Sequence, residues 1–323
     1  MKYKHLGRSG LQVSRLCLGT LAFGPEADEP EAHAIMDRAL EHGINFMDTS
    51  NVYGWQSGKD WTENVIGRWF AKGGERRERT VIATKVYQPL SDWPNDGHLS
   101  ARHIRQACDA SLRRLQTDYI DLYQMHHVDR NTPWDEIWEA MEVLRAQGKI
   151  LYTGSSNFAG WHIAQAQEAA RSRHFLGLMS EQSKYNLVTR DVEREVLPAA
   201  IQYGVGIIPW SPLQRGLLGG IIAREAEGGL QGHRVDTAFL ERFRPQLIRY
   251  ERLCAEFGAH PAHVALAWLL SRPAVTAPII GPVTVEQLDD IVGCIDVHLD
   301  EHMLAQIDEI FPGYKEAPED YAW

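Results

Sequence analysis

The sequence predicts an α/β fold, a (β/α)8 TIM barrel entered through an N-terminal hairpin, on three observations. Eight apolar, strand-like runs alternate with amphipathic, helix-like runs, most repeating at about 30–40 residues, as such a barrel requires. Three consecutive strands finish in ionisable residues, Asp48, Lys85 and His126, and barrels of this kind gather their chemistry at the C-terminal rim. The turn after the first barrel strand reads Leu18-Gly19-Thr20-Leu21-Ala22-Phe23-Gly24, not the GxGxxG that a doubly wound sheet needs there.

The elements follow in order. Tyr3–Leu6, the turn Gly7-Arg8-Ser9-Gly10 and Leu11–Val13 read as a hairpin. The strands are Arg15–Leu18, Asn45–Asp48, Val81–Lys85, Ile120–Met125, Ile150–Thr153, Leu178–Gln182, Gly206–Trp210 and Ala277–Ile280. Pro30 opens one helix and Gly43 closes it. Ser100 caps the next, whose Ile104, Ala107, Cys108, Ser111, Leu112 and Leu115 share a face. Thr132-Pro133 starts another, with Asp135 and Glu136 in its positive first turn and Gly148 at its end. Three connections exceed the usual few residues and read as functional: Tyr87–Leu99, Pro212 to Phe239, and the tail Pro312–Trp323. No linker divides the chain, so residues 1–323 read as a single barrel domain.

Composition narrows the function. With 323 residues, 44% hydrophobic and 24% charged, the chain has ample material for a core. A net charge of −10 argues against a nucleic-acid surface. No apolar run approaches the roughly 18–20 residues that span a bilayer, and no h-region follows Met1-Lys2-Tyr3-Lys4-His5. Cys17, Cys108, Cys254 and Cys294 are scattered and read as reduced core residues of a cytoplasmic protein. Walker, HExxH and Gly-x-Ser-x-Gly motifs are missing. His260 and His263 share a helical face without an evident third ligand, so no metal is expected.

The segment Asn45 to Gly54 delivers Asp48 at a strand end and Tyr53 five residues later. Free tyrosine, with a pKa of about 10, is a poor proton donor at neutral pH. A nearby ammonium lowers that value, and a carboxylate beside the ammonium holds it charged. Tyr53, Lys85 and Asp48 are therefore expected to form one relay, with His126 orienting a carbonyl oxygen and helping to donate the proton. The plain alternative is a buried Asp48–Lys85 ion pair that only fills the rim. Because neighbouring strand residues point to opposite sides, His127 is expected to face away from His126, bonded to a loop or lying beside substrate.

The chain resembles the aldo-keto reductases along almost its whole length. The carriers are Leu18-Gly19-Thr20, Asp48-Thr49-Ser50-Asn51-Val52-Tyr53-Gly54, Ala83-Thr84-Lys85, Ile120 to His126, Gly154-Ser155-Ser156-Asn157-Phe158 and Trp210-Ser211-Pro212-Leu213. The resemblance implies that the hairpin caps the barrel bottom and that Asp48, Tyr53, Lys85 and His126 form a catalytic tetrad. Tyr53 would give the proton while reduced nicotinamide gives hydride. It further implies that Ser156, Asn157 and Gln182 bind the carboxamide, Trp210 stacks on the nicotinamide, and Ser211, Leu213 and Arg215 line the pyrophosphate. Gly19, Thr20, Pro212, Gly281 and Gln287 complete the cofactor-binding set. NADP(H) is favoured with NAD(H) as the alternative, since Ile280 to Asp290 carries no basic residue and Asp289-Asp290 would repel a phosphate they faced.

The partner implied is a small-molecule carbonyl compound, an aldehyde or ketone. Within the family the chain is most similar to actinobacterial deoxysugar-pathway reductases, including nucleotide 4-keto-6-deoxyhexose 2,3-reductases. His126 to Trp138, Asn157 to Ala164 and Ile310-Phe311-Pro312-Gly313 carry that likeness. A sugar or nucleotide sugar is thus the narrower substrate, with Phe23, Trp55, Trp93 and His127 expected around it. The competing readings are a cofactor-binding regulatory barrel with negligible turnover, and an isomerase or lyase using Lys85. Homo-oligomer formation is left open, and the tail Tyr314–Trp323 is expected to cover its own site or dock on a neighbour.

Overall fold

The computed structural model describes residues 1–54, 61–89, 91–228 and 236–322. Strands β1 (Tyr3–His5) and β2 (Gln12–Ser14) pair antiparallel, Tyr3 opposite Ser14. Leu6 and Val13 at this hairpin are fully buried, packed with Cys17, Phe46 and Val81. Those three residues begin β3 (Cys17–Gly19), β4 (Phe46–Asp48) and β5 (Val81–Val86). The hairpin therefore lies across the N-terminal ends of the strands, as expected.

The other strands are β6 (Ile120–Met125), β7 (Ile150–Ser156), β8 (Leu178–Gln182), β9 (Gly206–Ile207) and β10 (Ile279–Ile280). All eight run parallel in the order β10-β3-β4-β5-β6-β7-β8-β9. Ile207 N–H donates to Ala274 O at 3.0 Å, Thr276 N–H to Ile207 O at 2.8 Å and Ile279 N–H to Pro209 O at 2.8 Å. These bonds join β9 to the segment entering β10 and close the (β/α)8 barrel. β9 and β10 are shorter than expected because Pro209 and Pro278 bring no N–H to the ladder. β7 is longer, because Ser155 and Ser156 stay in register with Glu181 and Gln182.

The main helices between and after these strands are α1 (Glu29–Glu41), α2 (Trp61–Ala71), α3 (Ala101–Leu115), α4 (Trp134–Ala146), α5 (Gly160–Ser172), α6 (Val196–Tyr203), α7 (Ile221–Ala226), α8 (Thr237–Glu256) and α9 (Pro261–Ser271). α10 (Val285–Val292), α11 (Glu301–Ile310) and α12 (Glu319–Ala322) follow β10. Asp28 caps α1 by accepting Glu31 N–H, and Ser100 caps α3 by accepting His103 N–H. The period-2 alternation of the strands separates two apolar layers. Phe46, Ala83, Leu122, Met179 and Ile208 fill the barrel, while Met47, Ile82, Tyr123 and Met125 face the helices.

One irregularity matters for the site. Thr153 of β7 pairs with Leu178 of β8, but Gly154 pairs with Ser180. Met179 is thus an extra residue, a β-bulge, and it reverses which residues of β8 point inward afterwards. Of the long connections, Tyr87–Leu99 is closed at its base by His98 N–H donating to Tyr87 O at 2.7 Å. The run from Pro212 to Phe239 contains α7 and the start of α8. The tail lies on Arg194, whose guanidinium stands 4.2 Å over the Tyr314 ring and 3.2 Å from Asp320. Among the described residues no helix is long and apolar enough to cross a membrane.

Candidate active site

Asp48, Lys85 and Gln124 point inward from β4, β5 and β6, and Gln182 does so from β8 through the bulge. Lys85 is fully buried, and its Nζ donates to Asp48 Oδ2 at 2.6 Å, Thr49 O at 2.9 Å and Tyr53 Oη at 3.0 Å. All three ammonium protons are thereby committed, one to the phenol. The other Asp48 oxygen, Oδ1, accepts from Gln124 Nε2 at 2.9 Å and Gln182 Nε2 at 2.8 Å. The His126 ring stands edge-on to Tyr53, centroids 6.2 Å apart, with the Ser50 hydroxyl 3.5 Å from its Nδ1. The four residues expected to form a tetrad do converge at the rim.

The electrostatics correct two expectations. Burial pushes the Tyr53 phenol above its ordinary pKa, with Lys85 pulling down and Asp48 pushing up. The ammonium was expected to lower this value, but loss of water outweighs it. The phenol is therefore fully protonated at neutral pH. Burial also works against the Lys85 charge, but Asp48 and Tyr53 outweigh it and its pKa lies above the ordinary value. Burial, with help from Lys85 and His127, drives His126 down to about 2. His126 is thus a neutral imidazole that can orient an oxygen but has no acidic proton to share, contrary to the expected second donor.

His127 also departs from expectation. It stacks on His126, centroids 5.0 Å apart and 4° from parallel, and stands 5.3 Å from the Tyr87 ring. β6 ends at Met125, so strand alternation no longer governs either histidine. Of the other aromatic residues expected around a substrate, Trp93 is 79% exposed. Phe23 is fully buried in the apolar layer under the helices and presents no face to a ligand. Trp55 lies outside the described residues.

Of the residues assigned to a cofactor, Ser156, Asn157, Gln182 and Trp210 are joined by hydrogen bonds. Ser156 Oγ donates to Gln182 O at 2.9 Å and accepts from Asn157 Nδ2 at 3.0 Å. Asn157, at φ +60°, also accepts from Trp210 Nε1 at 3.1 Å, and its Nδ2 lies 3.3 Å from His126 O. Gln182, expected to reach a carboxamide, spends its amide N–H on Asp48 instead. Thr20 Oγ1 and N–H both donate to Asp48 O, at 2.9 and 3.0 Å, tying Gly19-Thr20 to the end of β4. Ser211, Gln214 and Arg215 all have positive φ, followed by Gly216 at +86°. Such concentration of left-handed non-glycine backbone within the Ser211-Pro212-Leu213-Gln214-Arg215 turn is costly and typical of ligand-holding loops. Gln287 Oε1 accepts Val283 N–H at 2.9 Å, which fixes the turn after Gly281.

Sequence reasoning missed Lys184. Its Nζ lies 5.7 Å from the Trp210 ring, and burial followed by the nearby Arg215 charge lowers its pKa. Two cations thus crowd the strained loop with no ion pair to either among the described residues. Asp289, feared as a repulsive charge, bonds to Arg38 Nε at 2.7 Å and His42 Nε2 at 2.6 Å and turns towards α1. Asp290 supplies what His260 and His263 lacked in the sequence, and the ligand atoms of the three lie within 4.8 Å of one another. His260 Nδ1 is committed as the cap of α9, accepting Ala262 N–H at 3.3 Å, and His263 Nε2 lies 3.4 Å from Asp290.

Beneath the rim, Glu181 is fully buried and faces away from the barrel axis. It accepts from Ser155 Oγ at 2.5 Å, Ser183 Oγ at 2.7 Å and Phe158 N–H at 3.1 Å. Burial pushes its carboxyl up to about 7 against those donors. The native state therefore holds a proton that the unfolded chain releases. Stability from this group is full below about pH 4.5 and is lost as pH rises through about 7. We expect Glu181→Gln to remove about 3 kcal/mol of that pH dependence, measured by urea unfolding at pH 5 and pH 8; equal slopes in the two proteins would refute it.

Known proteins give this geometry a context. Residues 15–311 match the aldo/keto reductase family. The chain is 54% identical to the uncharacterized oxidoreductase YrpG of Bacillus subtilis, covering 100% of both chains. It is 34% identical to versiconal hemiacetal acetate reductase of Aspergillus parasiticus, over 96% of each chain. It is 32% identical to a probable voltage-gated potassium channel subunit beta of Arabidopsis thaliana, over 99% of this chain and 100% of that one. A closed parallel barrel, four convergent polar residues at its rim and a match over nearly its full length give one conclusion: the chain belongs to the aldo/keto reductase family and is an oxidoreductase.

Proposed function

We propose that the protein reduces an aldehyde or ketone at the Tyr53 rim, with Tyr53 as proton donor and NADPH as reductant. The reading rests on one observation, the Lys85 ammonium bonded at once to Asp48 at 2.6 Å and to the Tyr53 hydroxyl at 3.0 Å. Asp48, held by Gln124 and Gln182, anchors the ammonium; the ammonium fixes the phenol and stabilises the phenolate left after proton transfer. Neutral His126 orients the carbonyl oxygen towards that phenol. A reduced nicotinamide, when bound, supplies the hydride to the carbonyl carbon.

The donor set fits such a cofactor. Ser156 and Asn157 offer polar groups beside Trp210, and Lys184 and Arg215, without an ion pair among the described residues, offer positive charge beside a left-handed backbone loop. Asp289 is withdrawn from competition by Arg38 and His42. We expect Lys184→Gln and Arg215→Gln each to raise the KM for NADPH by about tenfold, the scale of one lost charge-assisted contact, with kcat little changed. An unchanged KM in both would remove them from cofactor binding.

The function is tested with NADPH deuterated at the transferable position of the nicotinamide. Reduction of 4-nitrobenzaldehyde should place one deuterium on the former carbonyl carbon, and an unlabelled alcohol would overturn hydride transfer. A second reading, a cofactor-binding regulatory subunit, draws support from the likeness to the channel subunit; saturable NADPH binding with no turnover of any carbonyl would favour it. The nucleotide-sugar substrate draws on helix and strand-end similarity alone. Among the described residues no side chain at the Tyr53 rim requires a sugar, so we retain the broader carbonyl class.

A further inference from the structure

Glu181 carries a burden that the Tyr53 relay does not explain. Its carboxyl is fully buried, and it is met by two hydroxyls and one backbone N–H rather than by a cation. A leucine there would fill much the same space without that desolvation. Acids so far from water concentrate where a protein needs a shape held for function, and the three donors show which shape. Ser155 belongs to β7, Ser183 directly follows β8, and Phe158 lies in the turn that leads from β7 into α5. One carboxyl thus joins the ends of two neighbouring strands to the loop leaving the first.

The residue held by this arrangement is Asn157. Its φ of +60° is a conformation that a side-chain-bearing residue keeps only where its surroundings over-determine it. Its own N–H donates to Gln182 O at 3.0 Å, and the next N–H, of Phe158, donates to Glu181 Oε1 at 3.1 Å. Both N–H groups flanking the Asn157 Cα are therefore anchored on β8. Its side-chain amide meets Trp210 Nε1 at 3.1 Å, Ser156 Oγ at 3.0 Å and His126 O at 3.3 Å.

We propose, on the reading that this rim takes NADPH, that Glu181 is a positioning residue for cofactor binding. By holding Phe158 N–H it fixes the left-handed Asn157 turn, and with it the Ser156–Asn157–Trp210 group, in a binding-ready shape before any ligand arrives. Glutamine can serve in its place. The amide oxygen accepts from Phe158 N–H and Ser183, and the amide N–H donates to Ser155 Oγ, whose own proton then goes to Ser180 O, 3.3 Å away. Leucine offers none of these bonds.

The test is an NADPH fluorescence titration of the full chain with no carbonyl present, which reads binding whether or not the protein turns a carbonyl over. Glu181→Leu should weaken NADPH by about tenfold, the scale of one lost hydrogen bond that fixes a turn. The KM for NADPH should rise in proportion with kcat little changed, and Glu181→Gln should bind as wild type does. In an Asn157→Ala background, Glu181→Leu should weaken NADPH no further. Amide hydrogen exchange over residues 155–160 without cofactor should quicken in Glu181→Leu and not in Glu181→Gln. If Glu181→Leu does not fold, Glu181→Asp carries the titration: one carbon shorter, it cannot reach Phe158 N–H and both serines, and it too should loosen NADPH. Wild-type affinity in a folded Glu181→Leu or Glu181→Asp, even with lowered urea stability, would overturn the proposal. So would an undiminished loss in the Asn157→Ala background, or Glu181→Gln binding as weakly as Glu181→Leu. NADPH affinity that depends on Glu181 without turnover of any carbonyl would support it and end the reductase reading. Wild-type protein that binds no nicotinamide cofactor would overturn both.

Discussion

Replacing Tyr53 with Phe should lower kcat for 4-nitrobenzaldehyde by about 10²–10⁴-fold, the usual worth of a positioned general acid, with NADPH binding nearly unchanged. The variant loses only the hydroxyl. Lys85 keeps its bonds to Asp48 at 2.6 Å and Thr49 O at 2.9 Å, so the buried charges stay paired and the fold is spared. Because His126 is held at about 2, it brings no proton at neutral pH that could replace the phenol's. Steady-state kinetics alongside cofactor fluorescence titration check both halves, and equal kcat in the two proteins would remove Tyr53 from the proton-donating role.

Lys85→Met should be the more damaging change, because two separate things are lost. The Asp48 carboxylate, 2% exposed, is left buried without its cation, which typically costs about 3–5 kcal/mol. The phenol also loses the donor that fixes it and the charge that would stabilise its phenolate. We expect a fall in urea stability on that scale together with a loss of turnover at least as large as in Tyr53→Phe. The double variant Lys85→Met/Asp48→Leu separates the effects: it should regain much of the stability, since the buried charge is gone, while remaining inactive. Wild-type stability in Lys85→Met would mean that the ion pair contributes nothing to the fold, and wild-type turnover would end the relay.

The barrel was legible because its signal is periodic and local. Asp48, Lys85 and the His126 turn each terminate an apolar run, and a strand end at one rim is a position that sequence alone can assign. What sequence could not carry was the balance of opposing terms. Lys85 beside Tyr53 invites the inference of a lowered phenol pKa, yet burial, which depends on the whole barrel, reverses the sign. His126 and His127 were separated by a strand rule that lapses at Met125. Phe23 looked available because it sits in a rim turn, but it folds under the helices. Lys184 and Asp290 carry no local motif, and only folding places them beside Trp210 and His263. Gln124 lay inside a quoted motif, but its bond to Asp48 became visible only with the coordinates.

The additional residue at Met179 has a consequence for the charge count at the centre of the molecule. Were β8 paired straight through, with Met179 opposite Gly154, each later side chain would move by one position, sending Gln182 outward and Glu181 in to face Asp48. An amide that donates to the carboxylate would give way to a second acid, and two acids competing for one ammonium would share a proton or push apart. A slip of one residue in this pairing, remote in sequence from Tyr53, would thus rewrite the acid–base composition of the barrel mouth without changing any residue assigned to the chemistry.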